Sequence, residues 1–138
     1  MNNYIIGDLI IFLAKQMKTE SEKKLKPFDL GIGQLQVLLL FYEIKPQIMT
    51  QSSIAKTLQI DKGNVSRLVK KLINKNYLAI AAPGKARNEL ILTETGLNMK
   101  QEILSTFRAI YQEMTHGLSQ EELEMLESVM KKMKTNME

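Results

Sequence analysis

The chain has 138 residues, 44% hydrophobic and 25% charged, with no cysteine and a single histidine, His116. That length fits one domain with a real core, and the missing thiols exclude disulfides, thiolate metal sites, catalytic cysteines and cysteine-based redox sensing. The net charge of +4 is unevenly spread: the stretch from Lys56 to Arg87 holds eight basic residues against one acid, Asp61, and the remainder is net acidic.

Helical periodicity predicts a first helix over about Tyr4 to Leu25, with Ile6, Leu9, Ile10, Leu13 and Met17 recurring at three- and four-residue steps. Pro27 closes it, because the residue before a proline disfavours helical geometry. The apolar run from Leu9 to Leu13 is broken by Asp8 and lacks a basic leader, so it reads as neither signal peptide nor membrane span. A soluble cytoplasmic protein without membrane association is expected. Gly31 and Gly33 separate this helix from a second, Gln34 to Ile44, whose buried stripe is Leu35, Leu38, Leu39 and Tyr42; Pro46 ends the segment.

A short third helix follows Thr50, a plausible N-cap, with Ile54, Ala55 and Leu58 inward. Asp61 caps a fourth helix, Lys62 to about Lys75, and Asn76 stands where a left-handed C-terminal residue is expected. Two short strands come next, about Leu78 to Ala81 and Glu89 to Leu92, joined through Pro83-Gly84. Thr93 caps a long helix to about Thr115, with Leu97, Ile103, Leu104, Phe107, Ile110, Tyr111 and Met114 inward. Ser119 with Glu122 forms a capping box for the last helix, and Leu118 and Leu123 stand at hydrophobic-staple spacing. That helix runs through Leu126, Val129, Met130 and Met133 and then frays.

Helices followed by a two-stranded hairpin are the layout of a winged helix-turn-helix, mainly α, with about six helices in all. Residues 1–138 form one domain in this reading. Within it, 34–92 is the winged DNA-binding lobe, and 1–30 with 93–138 supply dimerisation helices.

The chemistry sits on the fourth helix. At about 100° per residue, Val65, Leu68, Val69, Leu72 and Ile73 fall within about 80° of one direction. The opposite face carries Gly63, Arg67, Lys70 and Asn74, flanked by Asn64, Ser66 and Lys71, with no acid after Asp61. Arginine pairs bidentately with guanine and asparagine with adenine, while serine and lysine reach phosphates or bases. Lys62, Gly63, Asn64, Ser66, Arg67, Lys70 and Lys71 are therefore the candidate DNA-binding residues, with Ser52 on the helix before. The free amides of the helix N-terminus add a phosphate anchor. Gly63 either allows close approach to another backbone or merely relieves crowding near the turn from the preceding helix. Lys85 and Arg87, at the hairpin tip, are placed to reach an adjacent minor groove, against the plainer reading of an exposed turn.

With these residues in view the chain resembles the MarR family of transcriptional regulators, over nearly its whole length. The most specific parts are Thr50-Gln51-Ser52-Ser53-Ile54-Ala55, the run from Ile60 through Arg67 to Leu72, and Leu92-Thr93-Glu94-Thr95-Gly96; Gln36 matches a glutamine usual in that family's second helix. The resemblance implies a homodimer that offers one recognition helix to each half of a roughly palindromic operator on double-stranded DNA. It also implies a small-molecule effector, aromatic or anionic. Two positions depart from the pattern. The family's wing carries Asp-x-Arg before its Leu-Thr, where this chain has Gly84 and Ala86, with Arg87 one place late. The glycine usual after the recognition helix is Asn76.

The first and last two helices hold more apolar surface than a small winged lobe needs, which predicts an intertwined two-fold dimer with half-sites about 10 base pairs apart. Phe12, Met17 and Tyr111 are candidate ligand-binding residues on the strength of the resemblance. Among the nine methionines, Met17, Met114, Met130 and Met133 fall at core-like spacing, so packing is favoured over a pliable pocket or oxidation sensing. No phosphate-cradling glycine loop, nucleophile motif or metal cluster can be read, so neither an enzyme nor a cofactor or metal site is expected. The rival readings are a winged-helix protein-interaction module and an architectural DNA-binding protein without ligand response.

Overall fold

The computed structural model describes residues 4–45, 48–81 and 89–138. Seven helices are described: α1 (Tyr4–Leu25), α2 (Ile32–Glu43), α3 (Gln51–Leu58), α4 (Lys62–Asn74), α5 (Glu94–Asn98), α6 (Lys100–Met114) and α7 (Gln120–Met137). A 3-10 turn, Lys26–Phe28, with Pro27 in it, follows α1. Three short strands, β1 (Ile48–Thr50), β2 (Leu78–Ile80) and β3 (Glu89–Leu92), form one antiparallel sheet in the order β1-β3-β2.

The expected hairpin is present, with Leu78 opposite Leu92 and Ile80 opposite Leu90. The sheet nevertheless has three strands rather than two. Ile48 to Thr50 pair with Ile91 to Glu89, along the other edge of β3. Thr50 thus ends a strand and caps α3 at once, its hydroxyl accepting from the Ser53 amide at 3.1 Å.

One core joins the helices to the sheet. Leu35, Val37, Leu38 and Phe41 of α2 meet Ile54 of α3, Val65, Val69 and Leu72 of α4, Leu78 and Leu90 of the sheet, and Ile103 of α6. The predicted stripe on α2 was too narrow. Val37 and Phe41 are fully buried while Leu39 is only partly so, because α1, α3 and α4 all pack around this helix. α2 also starts earlier than expected, at Ile32, so Gly33 lies inside it. A Cβ there would come within 2.9 Å of a Leu68 methyl, so the glycine lets α2 and α4 approach closely.

The long helix expected after Thr93 is two, α5 and α6, with Met99 between them. Thr93 caps the first as predicted, its hydroxyl accepting from the Gly96 amide at 3.0 Å. α7 carries the predicted capping box at Ser119 and Glu122, and it stays helical to Met137 rather than fraying.

The apolar stripe of α1 keeps its predicted spacing but is not buried within the chain. Ile6, Leu9, Ile10 and Leu13 are between 42% and 59% exposed. Only the C-terminal part of the helix is covered, at Ser21 and Leu25. Leu97, Tyr111 and Met114, expected inward, are likewise exposed, and α7 has no buried residue. Met130 is 53% exposed, so the core role expected of it is not filled by its own chain. Among the described residues no helix is long and apolar enough to cross a membrane.

Tyr42 ties α2 to α5, its hydroxyl donating to the Gly96 carbonyl at 2.8 Å. Burial pushes this hydroxyl up to about 12, with the neighbouring Tyr77 adding to the rise. In the unfolded chain a tyrosine titrates near 10, so the unfolded state loses its proton first as pH rises. The stabilisation from Tyr42 is therefore complete below about pH 10 and lost progressively as pH climbs through about 12. Urea unfolding of Tyr42→Phe is expected to show a shallower decline across that window than the wild type.

Candidate nucleic-acid interface

Local sequence positions the candidate helix at both ends. α3 stops at Gln59, whose left-handed backbone (φ 56°) turns the chain, and the Ile60 amide returns to the Ala55 carbonyl. Asp61 then caps α4, its carboxylate accepting from the Asn64 amide at 2.8 Å. The anionic cap also suits the positive end of the helix dipole. At the far end Asn76 takes the expected left-handed conformation, φ 63°, and its amide donates to the Ile73 carbonyl.

Between those ends the two faces divide as the wheel predicts. Val65, Val69 and Leu72 are buried, with Leu68 and Ile73 partly so. Lys62, Gly63, Ser66, Arg67, Lys70 and Lys71 are exposed, and Asn64 is half-buried. Ser52 is exposed on α3, the helix packed against α4. Apart from the Asp61 cap, this face is cationic and amide-bearing, a surface suited to phosphates and base edges. Burying one side of α4 against α2 and α3 leaves the other free to enter a groove.

Gly63 has a structural role independent of any ligand. A Cβ on it would lie 3.2 Å from the Asp61 carboxylate oxygen that caps the helix, so the glycine relieves crowding at the cap. Lys85 and Arg87 lie outside the described residues, as does the Pro83-Gly84 turn between them and β2.

The candidate ligand residues are distributed rather than gathered. Met17 lines a cavity of about 220 Å³ with Leu13, Gln16, Ile110 and Met114. Tyr111 lines a larger one, about 580 Å³, between α6 and α7 with Leu123 and Met130. Phe12 is exposed on α1. Lys75 shows in the sequence only as a basic residue at the end of α4. Its partners lie more than 40 residues away, at Asp29 and Gln34, and no local pattern announces them.

A short helix, a turn, an exposed basic helix and a sheet on its far side define a winged helix-turn-helix. Comparison with known proteins narrows the class. A sequence model of the MarR family matches residues 28–87. An HTH-type transcriptional regulator of Bacillus cereus, itself uncharacterised, is 31% identical over 100 residues, 70% of this chain and 66% of its own length. Among solved structures, MepR of S. aureus in complex with DNA is 27% identical with a TM-score of 0.84, covering all of both chains. A MarR transcriptional regulator from Methanosarcina mazei Go1 superposes with a TM-score of 0.88 at 21% identity, covering 99% of this chain and 91% of that one. The chain belongs to the MarR family of transcriptional regulators.

Proposed function

We propose that the protein is a homodimeric, sequence-specific DNA-binding regulator, a repressor acting on a roughly palindromic operator. The observation that carries this reading is the divided face of α4: an apolar side locked in the core and a cationic, amide-bearing side left to solvent. The α4 side chains read base edges in the major groove, the free amides at its N-terminus and Ser52 hold phosphates, and Lys85 and Arg87 extend the contact from the wing. Residues 34–92 serve as the DNA-binding lobe. The match to MepR, solved with DNA, supports the same assignment.

Residues 1–30 and 93–138 supply the dimer. The exposed apolar stripe of α1 and α7, which has no fully buried residue, support this, since helices of such composition are stable in water only when covered. Light scattering on the chromatographed protein is expected to give twice the 15.8 kDa chain mass. A strictly monomeric mass at micromolar concentration contradicts the dimer. A small aromatic or anionic effector is assigned to the cavities beside Met17 and Tyr111, where the dimer helices meet. The reading as a protein-docking module predicts binding that hardly responds to salt, whereas DNA binding weakens with a log-log slope of about −0.9 per phosphate contacted.

A further inference from the structure

At the C-terminal end of α4 one side chain, that of Lys75, reaches back to the segment that follows α1. Lys75 is the residue at the helix's last turn, its own amide donating to the Lys71 carbonyl. Its side chain is only 24% exposed, unusual for a residue type that normally keeps its ammonium in water. The ammonium donates to the Asp29 backbone carbonyl and, at 2.8 Å, to the Gln34 side-chain oxygen. The Asp29 carboxylate stands 3.6 Å away but is 94% exposed, so it adds little. Gln34 is buried, and losing a partner there leaves its amide oxygen unsatisfied.

The location of these partners gives the contact its meaning. Asp29 closes the 3-10 turn that follows α1, held in a left-handed conformation (φ 53°) with its amide on the Lys26 carbonyl. Gln34 lies in the first turn of α2. Lys75 therefore joins the recognition helix to the point where the chain passes from α1 into the winged lobe. A 13-residue helix is about 20 Å long, so a tilt of about 10° at one end moves the other by about 3 Å. Hydrogen bonds to base edges do not survive displacements of that size.

We propose that Lys75 is a positioning residue, fixing the angle of the recognition helix against the end of α1 through Asp29 and Gln34. It sets base readout without touching DNA. This rests on the DNA-binding reading of α4, and the experiment separates the failure of each. Operator and random-duplex affinities are measured for the wild type, Lys75→Met, Lys75→Arg and Gln34→Met across a salt series, with thermal midpoints confirming that each variant folds. Lys75→Met is expected to lose about tenfold in operator affinity, with random-duplex affinity and the salt slope unchanged. Gln34→Met should lose less in the same pattern, and Lys75→Arg should recover most of the loss. A slope shallower by about 0.9 overturns the proposal in favour of a direct phosphate contact. Equal operator affinity in wild type and Lys75→Met also overturns it.

A second measurement needs no DNA. The chain has no cysteine, so spin labels at Glu22→Cys and Ser66→Cys are unique. With labelled chain diluted into unlabelled chain, the distance distribution is expected to broaden when Lys75→Met is introduced. An unchanged, narrow distribution overturns the proposal. A wild type that binds no duplex overturns the DNA reading instead, and the distances still decide the role of Lys75.

Discussion

Gly96→Ala is expected to destabilise the fold by about 3 kcal/mol, the upper range for an overpacked core. A Cβ at this buried position would stand 2.4 Å from the Tyr77 carbonyl oxygen and 2.7 Å from a Leu92 methyl. The methyl could turn aside, but the oxygen cannot. It already accepts from the Thr93 amide at 3.1 Å, and it belongs to the turn that leaves α4. Moving α5 outward instead would stretch the bond from the Tyr42 hydroxyl to the Gly96 carbonyl. Chemical denaturation reads the effect directly, and a loss below about 1 kcal/mol would show that this junction is looser than its geometry. The junction also gives a physical reason for the run Leu92-Thr93-Glu94-Thr95-Gly96. Thr93 caps α5 and bonds back to the Asn76 carbonyl at 2.6 Å, and only glycine fits at 96.

Arg67→Ala should have the largest effect on recognition and almost none on folding. Its side chain is exposed on the free face of α4, one turn from the helix start, where a guanidinium can reach a guanine edge bidentately. Its removal is expected to cost about 1–3 kcal/mol of operator affinity and to relax the preference at one base position in each half-site. Lys70→Ala and Lys71→Ala, if they act on phosphates, should weaken all duplexes alike and flatten the salt slope. An Arg67→Ala protein that keeps full affinity and full discrimination would mean that α4 does not read bases through this residue. Filter binding on matched and mismatched duplexes distinguishes these outcomes.

What could be read from the sequence follows from how local each interaction is. Thr50, Asp61, Thr93 and Ser119 were each expected to cap a helix, and each accepts the hydrogen bond required. A cap needs only a side chain and an amide three residues on. The left-handed residue at Asn76 is equally local. The division of α4 into two faces was legible because its apolar residues recur with a clean helical period.

Non-local features were missed for the same reason. β1 is three residues long, and it is a strand only because Ile48 to Thr50 meet the far edge of β3, about 40 residues along the chain. Nothing within Ile48-Met49-Thr50 itself separates a strand from a loop. The α2 stripe was drawn too narrow because a helix packed on several sides shows little periodicity. Lys75 reads locally only as a basic residue at the end of its helix, because its partners, Asp29 and Gln34, enter only through the tertiary fold. In α1 the apolar period is as expected, and the stripe it forms lies open within the chain. A sequence shows that a face is apolar without showing whether its own chain covers it.

The most direct test of the central claim is selection of bound duplexes from a random pool, run with wild type and Arg67→Ala at two salt concentrations. The account predicts enrichment of a two-fold symmetric motif with half-sites about 10 base pairs apart, weaker at the higher salt and degraded in the variant. Failure of the wild type to enrich any motif at low salt would contradict sequence-specific recognition through α4.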